Sequence, residues 1–247
     1  MSTLQIEDLY RSFGSLVVTQ HVNLSIGAGE RHVIIGPNGA GKTSLINQIG
    51  GQLRPGSGRI LLDGVNIIGQ APEQVLRSGI ARTFQKNNLF FNLSVIENLR
   101  LAVQARRGNG LQCFRPARSL TAIMSRAESI LAQVKLDANG SRAVRELSYG
   151  EQRQLEVGLA LAGDPKVLLL DEPTSGMSPA ETAGMIELVR SLPRELTVVM
   201  IEHDMHVVFS LADRITVLYY GEVLATGTPQ EIQDNERVRE IYLGARH

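Results

Sequence analysis

Short apolar stretches bounded by turn residues open the chain. Leu4 to Leu9, Val22 to Ile26, Arg31 to Ile35 and Arg59 to Leu62 predict strands, the last followed by a turn at Asp63-Gly64. Lys42 to Gly50 predicts a helix that starts directly after a glycine-rich turn, in strand, loop, helix order. From about Leu89 to Gly163 the period lengthens, with Val95, Leu99 and Val103 on one face and Ile123, Ala127, Ile130 and Val134 on another, which predicts an inserted helical lobe. Val167 to Leu170 and Thr197 to Ile201 are nearly continuous apolar runs, so both faces of these strands are buried and a parallel sheet is implied, with a helix from Pro179 to Leu192 between them. Thr228-Pro229-Gln230-Glu231 has the form of a capped helix start, and one final helix is expected to run to about Leu243.

With 247 residues and 43% hydrophobic composition, the chain has enough apolar surface for one α/β domain with a subdomain. Lysine and arginine total 25 and aspartate and glutamate total 25, so no global basic field favours a nucleic-acid partner. The single Cys113 can form no internal disulfide, and the opening residues lack the basic and apolar segments of a secretory leader, which reads as cytoplasmic. No apolar run approaches the roughly 20 residues a spanning helix needs, so any membrane role is expected to come through partners. The segment RRGNGLQCFRPAR concentrates Arg106, Arg107, Arg115 and Arg118 and reads as a solvated loop, with a membrane-facing patch as the alternative.

Three groups of residues carry candidate chemistry. Gly36-Pro37-Asn38-Gly39-Ala40-Gly41-Lys42-Thr43 fits G-x-x-x-x-G-K-[ST], in which backbone amides converge on phosphate oxygens at the positive end of a helix. In this reading Lys42 reaches the β and γ phosphates, Thr43 offers a hydroxyl to Mg²⁺ and Ser44 helps to hold phosphate. Asp171 and Glu172 follow a buried strand at its carboxyl end, where open α/β sheets bind ligands. Asp171 is assigned to Mg²⁺ through water and Glu172 to polarising the attacking water. An acidic pair after a strand is otherwise a common turn, but the next strand ends in Glu202-His203-Asp204 and brings His203 to the same edge, where it can contact the γ phosphate or fix the water.

Reading outward, Arg82-Thr83-Phe84-Gln85 and Leu147-Ser148-Tyr149-Gly150-Glu151-Gln152 complete a series that resembles the ABC ATPase family over essentially the whole chain. The resemblance implies an α/β P-loop NTPase: a mostly parallel core sheet, an antiparallel β edge and an inserted helical subdomain, with 1–88 and 162–247 as nucleotide-binding core and 89–161 as helical subdomain of one domain. It implies ATP and Mg²⁺ as ligands, Gln85 as Mg²⁺ sensor beside the transmembrane-subunit groove, and Phe13 as the aromatic that stacks on adenine. It further implies that Ser148 and Gly150 serve the nucleotide of an opposite subunit, so that two ATPase subunits pair head to tail. Independently of the family, Ser148 with Glu151 is a capping box whose helix N-terminus has the free amides and dipole to hold a phosphate.

Two positions depart from the family pattern: Tyr149 stands where glycine is common, and Ser178 where aspartate often follows the acidic strand. Neither removes a catalytic group, and Ser178-Pro179-Ala180-Glu181 is itself a capping box, so the departures bear on communication between sites. Thr83-Phe84-Gln85, the basic insertion from Gly108 to Arg118, Ser175-Gly176-Met177-Ser178-Pro179 and Ile241-Tyr242-Leu243-Gly244 are similar to the branched-chain amino acid importer ATPases. That similarity implies a peripheral subunit at the cytoplasmic face of the inner membrane, paired with a second, identical or different, ATPase subunit. Two transmembrane permease subunits and, indirectly, an extracytoplasmic substrate-binding protein would complete the system, importing branched-chain amino acids or small amino acid, urea, amide or aromatic acid substrates. The alternatives are a lipopolysaccharide-export-type ATPase and a soluble non-transport ABC ATPase.

Overall fold

The computed structural model describes residues 2–83, 89–106 and 121–243. The chain divides into two compact units. One comprises Met1–Ile80, Lys166–Pro173 and Pro193–His247, the other Ala81–Pro165 and Thr174–Leu192.

The first unit begins with a long antiparallel hairpin, β1 (Ser2–Phe13) and β2 (Leu16–Gly27). Both strands extend well beyond the apolar runs that predict them, because their outer halves alternate less cleanly and change phase. Leu4 and Ile6 point inward, and so does Leu9 despite its odd spacing. A bulge at Asp8, with φ of 49°, absorbs the extra residue, and His21 on the partner strand takes φ of 49° beside it. The Asp8 carboxylate lies 2.5 Å from His21 Nδ1, and the Asp8 amide donates to Asn23 Oδ1 at 2.9 Å, so side chains satisfy groups that the bulge releases from the ladder.

β3 (Arg31–Ile35) leads through a loop to α1 (Lys42–Ile49), and β4 (Ser57–Leu62) and β5 (Val65–Asn66) complete the edge sheet in the order β2-β1-β4-β5. After α2 (Pro72–Ser78) come β6 (Ile80–Arg82) and, later in the chain, β7 (Val167–Asp171) and β8 (Thr197–Ile201). α7 (Met205–Leu211) precedes the hairpin β9 (Arg214–Tyr219) and β10 (Glu222–Gly227). The main sheet runs β10-β9-β3-β8-β7-β6, with β7, β8, β3 and β9 mutually parallel and β10 antiparallel to β9. All five residues of β3, β7 and β8 are buried, which explains their unbroken apolar runs. One core joins Leu4, Ile6 and Ile26 of the edge sheet, Leu45 and Ile49 of α1, and Ile34, Leu169 and Val199 of the main sheet.

The second unit contains α3 (Val95–Arg106), α4 (Thr121–Gln133), α5 (Tyr149–Leu161) and α6 (Pro179–Ser191). The predicted faces are its core: Val95, Leu99, Val103, Ile123, Ala127, Ile130 and Val134 are at most 3% exposed. Thr174–Leu192, read from the sequence as part of the nucleotide-binding core, groups with these helices. Met185, Ile186, Leu188 and Val189 of α6 are buried, Glu187 pairs with Lys135 at 2.6 Å, and Glu181 accepts from the Gly150 amide of α5.

The single terminal helix expected from Pro229 to Leu243 is interrupted. α8 (Pro229–Asp234) ends at Asn235, whose Oδ1 accepts from the Val238 amide at 3.1 Å and starts α9 (Glu236–Val238), followed by a π-helical turn at Arg239–Leu243. An Asx side chain that competes for backbone amides breaks the run without any proline.

Leu169→Ala, which opens a cavity at a fully buried strand position, is expected to cost about 2–5 kcal/mol. A shift of the denaturant midpoint followed by circular dichroism measures it.

Candidate active site

The register of the parallel strands builds the site. Asp171 lies beside Ile201, and Ile201 beside Ile34, so β7, β8 and β3 end at one level. The residues that follow each strand, Glu172, Glu202-His203 and Gly36, therefore emerge together at the carboxyl edge of the sheet.

The loop from Gly36 to Gly41 is pinned from behind. Gly36 has φ of 151°, and a Cβ there would stand 2.2 Å from the Leu218 carbonyl oxygen of β9, so the chain can pass only as glycine. The Gly221 amide of the β9–β10 turn donates to the Ala40 carbonyl at 3.0 Å, and the Gly221 carbonyl accepts from Gln20 of β2 at 2.8 Å. Gly41, left-handed at φ of 99°, takes the N-cap place of α1 without a side chain, which leaves the first-turn amides to an anion. Asn38 and Gly39 are exposed at the tip, Pro37 is half-buried and Ala40 is buried.

Lys42 is 8% exposed, and its Nζ donates to the carbonyl oxygens of Gly36 at 2.7 Å and Pro37 at 3.0 Å. Burial lowers its pKa below the ordinary lysine value, opposed by the charges of Glu172 and Asp171. Thr43 is exposed and Ser44 half-buried on the first turn of α1. Gln48, one turn further, is buried and donates from Nε2 to Thr19 Oγ1 at 3.1 Å and to the Ser44 carbonyl at 3.2 Å, which ties α1 to β2.

Asp171 is 5% exposed at the end of β7, and Glu172 follows in a left-handed conformation at φ of 48°, its amide donating to Ile201 O at 3.0 Å. Glutamate in this conformation is strained, and such strain collects at functional sites. His203 is exposed, with its amide donating to Oε2 of the fully buried Glu202 at 3.2 Å. Asp204 caps α7 by accepting from the His206 amide. Carboxylate and hydroxyl oxygens from Asp171 and Thr43 form a hard donor set of the kind Mg²⁺ selects, and the buried ammonium with free amides suits polyphosphate. Phe13 is 50% exposed at the end of β1, with the Arg11 guanidinium over its ring at 4.9 Å. Gln85, Cys113 and the basic insertion from Gly108 to Arg118 lie outside the described residues.

In the helical unit, Ser148 caps α5 in both directions: its Oγ accepts from the Glu151 amide at 3.2 Å, and Glu151 Oε2 accepts from the Ser148 amide at 2.7 Å. Tyr149 uses its hydroxyl twice, accepting from Arg153 Nε at 3.0 Å and donating to the Ser175 carbonyl at 3.3 Å. Glu181 accepts from the Gly150 amide at 2.8 Å and from the Ser178 amide at 3.0 Å.

Residues 19–175 match the family model described as ABC transporter. The chain belongs to the ABC transporter ATP-binding family. Residues 222–247 of this cassette also match the model described as Branched-chain amino acid ATP-binding cassette transporter. The cassette is 38% identical over 250 residues to the High-affinity branched-chain amino acid transport ATP-binding protein LivG of Escherichia coli (strain K12), covering 98% of this chain and 97% of that one. It is 39% identical over 251 residues to the corresponding protein BraF of Pseudomonas aeruginosa, with the same coverage. Among solved structures it superposes with a TM-score of 0.85 on an ATP-binding cassette of an ABC transporter in its ADP conformation, at 29% identity and with 99% of each chain covered. It is an ATPase of a transporter, with the P-loop fold that the sequence implies.

The main sheet brings the cassette's glycine-rich loop from Gly36 to Gly41, Asp171, Glu172 and His203 to one edge, and the second unit holds Ser148 and Gly150 on one capped turn. Sequence reasoning did not single out Gln48, Glu202, Gly221 or the second bond of Glu181. A glutamine and a glycine with no motif around them give no signal. Glu181 was legible as a cap of α6, but its reach to Gly150 depends on how two helices pack.

Gly36→Ala is expected to weaken nucleotide binding about tenfold or more, since a strained backbone costs roughly 1–3 kcal/mol; titration calorimetry reads the loss. A second expectation concerns acid. Glu181 has its pKa lowered to about 2 from 4.5, chiefly by the Ser178 and Gly150 amides. The stability from these bonds is therefore fully present above about 4.5 and lost as pH falls through 2. The difference in unfolding midpoint between wild type and Glu181→Gln should hold constant at neutral pH, shrink below 4.5 and vanish near 2.

Proposed function

We propose that the cassette powers an importer for branched-chain amino acids, or for a related small amino acid, urea, amide or aromatic acid substrate. The observation that carries this reading is the near-complete, 38–39% identical correspondence with ATP-binding proteins named for branched-chain amino acid transport. The terminal segment matched by the branched-chain model supports it. Among the described residues no helix is long and apolar enough to cross a membrane. In this reading two permease subunits carry the substrate, with an extracytoplasmic binding protein upstream, and the cassette works peripherally at the cytoplasmic face of the inner membrane.

In this reading the Lys42 ammonium and the loop's backbone N–H groups between Gly36 and Ser44, apart from Pro37, which has none, and Ala40, which donates to the Pro37 carbonyl, bind the triphosphate of ATP. Thr43, Asp171 and Gln85 hold Mg²⁺, which neutralises phosphate charge when bound. Phe13 stacks on the adenine through the ring face that Arg11 leaves open. Glu172 orients and polarises the attacking water, and His203 fixes that water or the γ phosphate. Ser148 and Gly150 complete the site of a second ATPase subunit, identical or different, so two cassettes pair head to tail.

Glu172→Gln is expected to keep ATP binding and lower turnover by about 10²–10⁴-fold, the range for a positioned base. Measured side by side, unchanged turnover in that variant would remove the role assigned to Glu172. Proteoliposomes holding the cassette with its permeases, supplied with the binding protein on the opposite side, should take up labelled leucine only with ATP on the cassette side, and failure with every amino acid, amide and aromatic acid tried, and with urea, would remove the importer reading.

A further inference from the structure

The donors that the proposed function gives to a partner cassette's phosphate are engaged inside this chain. The Gly150 amide donates to Glu181 Oε1 at 2.8 Å. The Ser148 oxygen accepts from the Glu151 amide at 3.2 Å. The other Glu181 oxygen, Oε2, accepts from the Ser178 amide at 3.0 Å and the Ser178 hydroxyl at 2.8 Å. The Glu181 carboxylate thus gathers three donors from two helix starts, like a bound anion.

The sequence at Gly150 is shaped to admit it. A Cβ on Gly150 would meet the Glu181 side chain at 2.7–2.9 Å, so the approach requires glycine. An amide has one hydrogen and cannot fully serve two anions. A phosphate brought to the same donors also meets an unneutralised negative charge at close range. Glu181 and an incoming γ phosphate are therefore competitors for one place.

We propose that Glu181 is an internal occupant of the anion-binding turn at Ser148–Gly150, and that the nucleotide of the second cassette must displace it before the two cassettes close. Glu181 is a positioning residue that sets the ATP concentration at which closure occurs. The displaced carboxylate keeps its bonds to Ser178, since its second oxygen serves them, so displacement pulls on the start of α6. Ser178 is one of the two positions that depart from the family pattern, and Glu181 links it to the turn at Ser148–Gly150. The inference rests on the reading that two cassettes share each ATP site.

The test uses the Glu172→Gln cassette, expected to bind ATP while turning it over only slowly, and reads the Mg-ATP concentration for half-maximal dimerisation by sedimentation. Adding Glu181→Gln keeps a side chain that the capping box accepts and removes the charge. The midpoint should fall on the order of tenfold, the scale of one hydrogen bond to a charged group. Glu181→Asp retains the charge and the Ser178 cap but is too short for Gly150, and it should lower the midpoint as well, which keeps the test open if the glutamine variant folds poorly. A purely structural cap would lower only the thermal midpoint of the ATP-free protein, and an unchanged nucleotide midpoint in both variants overturns the proposal. Absence of an ATP-driven dimer in every variant, both alone and mixed with the transporter's second ATPase subunit, would instead overturn the shared-site reading and this inference with it.

Discussion

The site depends on the hydrogen-bond register of three parallel strands. Asp171, Ile201 and Ile34 sit at one level of β7, β8 and β3, and this alignment makes three segments spread over more than a hundred residues of chain end together. A slip of one residue in any strand would exchange the side chains of its two buried faces and spoil the close packing on both, so the core enforces the alignment. The continuous burial of Val167–Asp171 and Thr197–Ile201 is thus the physical basis on which the acids, the histidine and the phosphate loop are assembled.

Around that edge the fold supports the loop without side chains. Leu218 and Gly221, from the β9–β10 hairpin, press on Gly36 and hold Ala40, while Gln48 ties the helix that receives the loop to Thr19. The loop's amides are left for ligand because neighbouring carbonyls and a buried glutamine hold its shape from outside. Lys42 illustrates the balance: two carbonyls and two nearby carboxylates oppose the penalty of its burial.

In the helical unit the same economy of donors governs a capped turn. Ser148 and Glu151 satisfy each other, Tyr149 fastens the turn to Ser175, and Glu181 fills the anion place at Gly150. A tyrosine at a position where glycine is common is accommodated because its ring lies along Gly176, 3.6 Å from where a Cβ would stand, and beneath the Arg153 guanidinium.

The sequence by itself determined the fold class, the helix faces from Val95 to Val134, the capped starts at Ser148, Ser178 and Thr228, and the buried strands at Val167–Leu170 and Thr197–Ile201. Each of these is a local pattern, written in residue spacing, caps or an unbroken apolar run. The tertiary structure decided what spacing cannot encode. The bulge at Asp8 and His21 restores the phase of β1 and β2, Asn235 cuts the last helix, and α6 joins the helices through Glu181 and Glu187. The approach of Glu181 to Gly150 joins residues thirty-one apart in sequence, and only the packing of α6 on α5 brings a capping residue of one helix to the amide of the other.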